Sequence, residues 1–93
     1  MIQIYTSNWC SYCNAAKNLL LKLNLAFEEI NIEEKNISRL DLQDLSGGHT
    51  VPQICINGKF IGGYVELQNL YQNGELLKII NDKWIRKILY CAF

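Results

Sequence analysis

Asn57-Gly58 stands between two apolar runs, Val51-Pro52-Gln53-Ile54-Cys55-Ile56 before it and Lys59-Phe60-Ile61 after it. A tight two-residue turn needs positive φ at both central positions, and Asn-Gly supplies that at least cost. The pair predicts an antiparallel hairpin. Pro52 cannot donate to a sheet ladder, so it belongs at the start or edge of the first hairpin strand. Upstream, Ile2 to Thr6 reads as a short buried strand and Phe27 to Ile32 as a second. Between them, from Cys10 onward, Ala16, Leu19, Leu20 and Leu23 recur at helical spacing, with Asn24 as the stop. A strand-helix-strand unit makes those first two strands parallel. Ile37, Leu40 and Leu45 predict the buried stripe of a second helix that ends at Gly47 and Gly48. Gly62-Gly63 leads to a third helix near Val65 to Gln72, broken by Asn73-Gly74. A last helical pattern runs through Leu76, Leu77, Ile80, Trp84, Ile88 and Leu89. The fold class is α/β: a small mixed four-stranded sheet flanked by helices, in the order β-α-β-α-β-β-α, with a C-terminal helical tail.

Trp9-Cys10-Ser11-Tyr12-Cys13 follows the first strand and opens the first helix. A thiol at that junction faces the unpaired N–H groups of the first turn, and these together with the helix dipole favour the thiolate. The thiolate is the reactive form, and a second cysteine one turn on can attack any disulfide that the first one makes. The competing reading is half of a zinc site. No second Cys-x-x-Cys or His-x-x-x-His accompanies the pair, so zinc needs Cys55, Cys91 or His49 brought in from afar.

Nine basic residues balance nine acidic ones in a chain of 93. That leaves no electrostatic footprint for nucleic acid or an anionic membrane. No apolar run approaches the ~20 residues that span a bilayer. Four cysteines are too few and too unevenly spaced for a secreted disulfide scaffold. We therefore expect one domain over residues 1–93, with 82–93 as a helical extension. We also expect a cytoplasmic location, with neither nucleic acid nor membrane as partner.

The order of elements, with Cys-x-x-Cys after the first strand and Val-Pro before the third, resembles the glutaredoxins of the thioredoxin fold. The matching residues are Tyr5-Thr6, Cys10-Ser11-Tyr12-Cys13, Thr50-Val51-Pro52-Gln53-Ile54, Asn57-Gly58 and Ile61-Gly62-Gly63, and they cover about residues 1 to 80. The resemblance implies a dithiol enzyme that uses glutathione as co-substrate to reduce protein disulfides and glutathione mixed disulfides. Implied partners are glutathione and disulfide-bonded or glutathionylated proteins, ribonucleotide reductase among them.

Residue by residue, the resemblance makes Cys10 the nucleophile and Cys13 the resolving thiol. Tyr12 matches the aromatic residue beside bound glutathione. Thr50 and Val51 match the segment whose backbone pairs with the glutathione cysteinyl unit, and Pro52 matches a cis-proline facing the thiol. Gly63, Tyr64, Val65 and Glu66 match the loop and helix start that hold the γ-glutamyl end. Free N–H groups at a helix N-terminus suit a carboxylate.

Three positions depart from the commoner pattern. Ser11 stands where proline is usual, and its N–H and hydroxyl are candidate donors to the Cys10 sulfur. Ser7 stands where many members carry lysine, which withdraws a cation from the glycyl carboxylate of glutathione; His49 and Gln53 are candidates to replace it. Val65-Glu66 stands where acidic or hydroxyl residues are usual. Val65 cannot cap a helix, and Glu66 would meet an ammonium group through a longer arm.

Elsewhere the plain readings prevail. Cys55 packs as a small hydrophobe in the third strand. Cys91 is an inert thiol near the C-terminus or a site of accidental oxidation. Trp9 lines the groove or covers a helix end, and Tyr5, Phe27 and Phe60 are core. The apolar band Trp84, Ile85, Ile88, Leu89 and Phe93 packs on the domain or offers a dimer surface. Two rival functions remain at this stage. Glutaredoxins with serine after the first cysteine include dimers holding a 2Fe-2S cluster through that cysteine, here Cys10, and a bound glutathione; otherwise a monomer is expected. A thioredoxin-type reductase fits Trp9 beside Cys10 but not Gly62-Gly63 and Thr50-Val51-Pro52.

Overall fold

The computed structural model describes residues 1–80. The elements run β1 (Ile2–Thr6), α1 (Ser11–Lys22), β2 (Glu28–Asn31), α2 (Arg39–Ser46), β3 (Gln53–Ile56), β4 (Lys59–Gly62) and α3 (Tyr64–Gln72). Residues 75–80 are helical as well. The extension 82–93, with Trp84, Ile85, Ile88, Leu89, Cys91 and Phe93, lies outside the described residues.

The sheet order is β2-β1-β3-β4. β1 pairs parallel with β2, antiparallel with β3, and β3 pairs antiparallel with β4. The hairpin turn is where the sequence puts it: Asn57 has φ 52 and Gly58 φ 86, the positive pair of a type I′ turn. Period-two alternation along β1 sends Ile2, Ile4 and Thr6 to one face. There Ile2 and Ile4 join Ile54 and Ile56 of β3, Ala16 and Leu20 of α1, Leu67 of α3 and Leu76 in one apolar core. This core clamps α1 and α3 to the same side of the sheet, which brings their N-termini to the same end. Cys55 is buried in β3, as expected.

Three expectations need correction. The first helix begins at Ser11, and Cys10 is its N-cap; a cap residue has extended rather than helical dihedrals. In α2 the fully buried residue is Leu42, while Leu40 and Leu45 are exposed. The phase of α2 is set by its start: the Ser38 hydroxyl accepts the Asp41 N–H and the Asp41 carboxylate accepts the Ser38 N–H, a capping box. Leu40 is two residues from Leu42 and so more than half a turn round the cylinder. Tyr5 and Phe60 are half-buried rather than core, while Phe27, half-buried too, packs against the core cluster. Tyr5 stacks on Phe60 with ring centroids 5.7 Å apart.

Candidate active site

Chain order and sheet order together gather four segments at one end of the molecule. β1 ends at Thr6 and delivers the loop 7–9 to the start of α1. The loop before β3 carries Thr50 and Val51, and the start of α3 carries Gly63 to Glu66. α2 adds its own N-terminus.

Trp9 has φ 59 and its ring is fully exposed. Cys10 follows with φ −111 and ψ 106, and its sulfur accepts the Cys13 N–H at 3.1 Å. The sulfur itself caps α1. Cys10 and Cys13 are joined as a disulfide. Their accessibilities differ sharply: Cys13 is 1% exposed, whereas Cys10 is half-buried. An incoming sulfur can reach Cys10 and cannot reach Cys13. Among the described residues no hydrogen bond joins Ser11 to the Cys10 sulfur, and the Cys13 N–H takes the role that Ser11 was expected to share. Across from the pair, the Val51–Pro52 peptide is cis and the Val51 carbonyl oxygen lies 3.8 Å from the Cys10 sulfur.

A cavity of about 400 Å³ surrounds Cys10, with Ser7, Trp9, Tyr12, Thr50 and Val51 in its lining. A second, of about 540 Å³, runs on from Tyr12, Thr50 and Val51 to Pro52, Gly63, Tyr64, Val65 and Glu66. Tyr12, Thr50 and Val51 line both, so the two form one cleft leading from the sulfur to the start of α3. Of the residues predicted for the site, Cys10, Tyr12, Thr50, Val51, Pro52, Gly63, Tyr64, Val65 and Glu66 lie along this cleft, while Cys13 is sealed behind Cys10. The Tyr12 and Tyr64 rings face one another with centroids 6.2 Å apart.

The two ends of the cleft differ in charge. At the Cys10 end, Arg39 lines the wall, the sole cation there among the described residues. It occupies the first position of α2, and one guanidinium nitrogen donates to the His49 carbonyl at 3.2 Å. Sequence reasoning missed it; the signal was a basic residue directly after a capping-box serine. At the other end no side chain caps the first N–H groups of α3, because Gly63 has none to offer. The Gly63 N–H itself donates to Glu66 Oε2 at 3.1 Å. Glu66 thus folds back over Gly62, where any Cβ would meet Glu66 Cγ at 2.8 Å. The two candidates for a carboxylate contact fare poorly. Gln53 is buried and spends its amide on Thr50, donating to the carbonyl at 2.9 Å. His49 contributes its backbone carbonyl to Arg39 and lines neither cavity.

Among the described residues no group of three His, Cys, Asp or Glu side chains could hold a metal ion. Among the described residues the chain offers one reachable sulfur, so this donor set fits a cluster only if a second chain and outside thiols complete it.

The glutaredoxin family model matches residues 2–61. The chain belongs to the glutaredoxin family. It is 40% identical to a glutaredoxin of Pseudomonas aeruginosa over 75 residues, covering 81% of this chain and 89% of that one. It is 33% identical to the mitochondrial glutaredoxin-2 of Pongo abelii over 89 residues, covering 92% of this chain and 55% of the relative. The chain thus spans about half the length of that mammalian relative. A solved buckwheat glutaredoxin in complex with glutathione superimposes with a TM-score of 0.79 at 25% identity, over 87% of this chain and 76% of that one. The mixed sheet flanked by helices is the thioredoxin-like fold of these neighbours, and Cys10-Ser11-Tyr12-Cys13 is its dithiol motif.

Proposed function

We propose that this chain is a glutathione-dependent thiol-disulfide oxidoreductase. The observation that carries the reading is the pairing of one reachable sulfur at a helix N-cap with a cleft whose chemistry changes from end to end. Glutathione has a thiol at its centre, a glycyl carboxylate at one end and a zwitterionic γ-glutamyl group at the other. With its sulfur at Cys10, the glycyl carboxylate meets Arg39. Its cysteinyl backbone lies against Val51. The γ-glutamyl carboxylate meets the uncapped N–H groups of Tyr64 and Val65, a natural anion site, and its ammonium lies toward Glu66. That a buckwheat glutaredoxin of the same fold was solved in complex with glutathione supports glutathione as the ligand.

The reaction follows from thiol-disulfide exchange. Once the Cys10–Cys13 disulfide is reduced, the Cys13 N–H and the α1 dipole favour the Cys10 thiolate. That thiolate attacks the glutathione sulfur of a mixed disulfide. The S–S bond breaks, a Cys10–glutathione disulfide forms, and the substrate leaves as a thiolate that takes a proton from water. A second glutathione, as thiolate, attacks the glutathione sulfur on Cys10; glutathione disulfide leaves and Cys10 is restored. For a protein disulfide, Cys10 attacks first. Cys13 then displaces the protein thiol, forming the Cys10–Cys13 disulfide, and two glutathione molecules return the pair to dithiol. Disulfide-bonded and glutathionylated proteins, ribonucleotide reductase among them, are the partners we propose. We propose a cytoplasmic location, where the glutathione pool that this cycle consumes is kept reduced.

A coupled assay on a small glutathionylated disulfide tests the reading. Cys13→Ser should retain turnover and Cys10→Ser should lose it. Turnover with thioredoxin reductase and none with glutathione would overturn it.

A further inference from the structure

We propose that Asn31 and Glu33, which line neither cavity at the site, are positioning residues for Cys10. The inference rests on reading Cys10 as the nucleophile. Three residues, Ser7 to Trp9, carry the chain from β1 to the cap of α1. Trp9 is in the left-handed region at φ 59, which a non-glycine residue adopts at a cost of about 1–2 kcal/mol. Its ring is fully exposed, so packing of that side chain does not hold it there. Something else over-determines the loop.

The hydrogen bonds show what does. The Asn8 N–H donates to Glu33 Oε2 at 2.7 Å. Asn31 Nδ2 donates to Asn8 Oδ1 at 2.9 Å. Asn31 Oδ1 is fixed in turn by the Glu33 and Glu34 N–H groups at 2.9 and 3.2 Å. At the root of the loop the Ile32 N–H donates to the Thr6 carbonyl at 2.8 Å. Asn8 is gripped by backbone and side chain together, and the grip comes from the turn after β2. It acts on Cys10 through the chain. Held Asn8 keeps Trp9 left-handed; Trp9 sets the dihedrals of Cys10; these put the sulfur 3.1 Å from the Cys13 N–H.

The sign of the effect separates positioning from plain electrostatics. Removing the Glu33 anion lowers the thiol pKa by Coulomb's law. Loosening the clip takes the Cys13 N–H away from the thiolate and raises it. The charged side chain lining the Cys10 cavity, Arg39, is untouched in either case.

The test is the pH profile of Cys10 alkylation in the reduced full chain, resolved by mass spectrometry from the other thiols. It compares wild type, Glu33→Ala, Glu33→Gln, Asn31→Ala and Glu34→Ala. Glu33→Ala and Asn31→Ala should each cut the thiolate fraction at neutral pH about threefold to tenfold, the equivalent of roughly half to one pKa unit. Glu33→Gln keeps an oxygen for the Asn8 N–H while losing the charge, so its thiolate fraction should stay at wild type or slightly above, as should that of Glu34→Ala. A Cys10 pKa that is unchanged or lowered in Glu33→Ala overturns the inference and leaves the function standing. A wild-type Cys10 that alkylates like an ordinary exposed thiol overturns both. The readout needs no glutathione, so failure of the tripeptide reading alone does not affect it.

Discussion

Replacing Arg39 with glutamine removes the cation from the Cys10 end of the cleft while keeping a side chain that can donate to the His49 carbonyl. The size of the effect follows from exposure. Two unit charges about 4 Å apart attract by about 1 kcal/mol in water and about 4 kcal/mol at an effective dielectric near 20. Arg39 is exposed and on α2's first turn, so the lower figure applies. An exposed pair between a guanidinium and a carboxylate is then worth about 0.5–1 kcal/mol, or roughly twofold to fivefold in affinity. We expect KM for glutathione to rise by about that factor in the coupled assay, with kcat for a saturating small disulfide nearly unchanged. Raising the salt should shrink the difference, since exposed charges are screened. With β-mercaptoethanol, which has no carboxylate, as reductant, wild type and Arg39→Gln should agree. Arg39→Lys should recover much of the loss. An unchanged KM for glutathione, or an equal loss with the uncharged thiol, would refute the assignment of the glycyl carboxylate to this residue.

The other expectations concern stability and the shape of the site. The Thr6 hydroxyl donates to Glu29 at 2.8 Å and Lys17 adds an ion pair at 3.0 Å. The Thr6 bond is the largest cause holding the Glu29 carboxyl below its ordinary 4.5, partial burial opposes it, and Lys17 assists. A carboxyl lowered in the folded state stabilises above its unfolded value and loses that contribution as pH falls through the folded one. An NMR titration of the Glu29 carboxyl should find its midpoint below 4.5, moving upward in Thr6→Val. Gly62→Ala places a Cβ at φ 113, 2.8 Å from Glu66 Cγ; it should destabilise the fold by more than ~1 kcal/mol in urea and weaken glutathione binding by displacing Glu66. Ser38→Ala breaks the capping box of α2 and should cost about 1 kcal/mol in the same titration.

Much of the fold was written in local chemistry. The Asn57-Gly58 turn, the alternation in β1 and the left-handed stop at Gly47 each follow from a backbone requirement that few residues meet. The dithiol, Pro52 and Gly63 were legible because their neighbours are equally specific. What escaped depends on phase and register. Leu42 rather than Leu40 faces inward because the capping box starts α2 at Arg39, and a helix of eight residues leaves apolar periodicity little length to show itself. Arg39 lines the Cys10 cavity only because the fold brings the start of α2 to the cleft. The Asn8, Asn31 and Glu33 contacts require β1 and β2 to lie parallel with Thr6 opposite Asn31. Nothing in the local sequence around Cys10 signals that pairing.

The central claim is that, among the described residues, Cys10 alone is open to attack and that the cleft beside it fits the glutathionyl group. The most direct measurement is mass spectrometry of the Cys13→Ser chain after exposure to glutathione disulfide. The account predicts a glutathionyl adduct on Cys10, formed faster than the adduct of a disulfide lacking carboxylates. An absent Cys10 adduct, an adduct on buried Cys55 in its place, or equal rates for the two disulfides would contradict it.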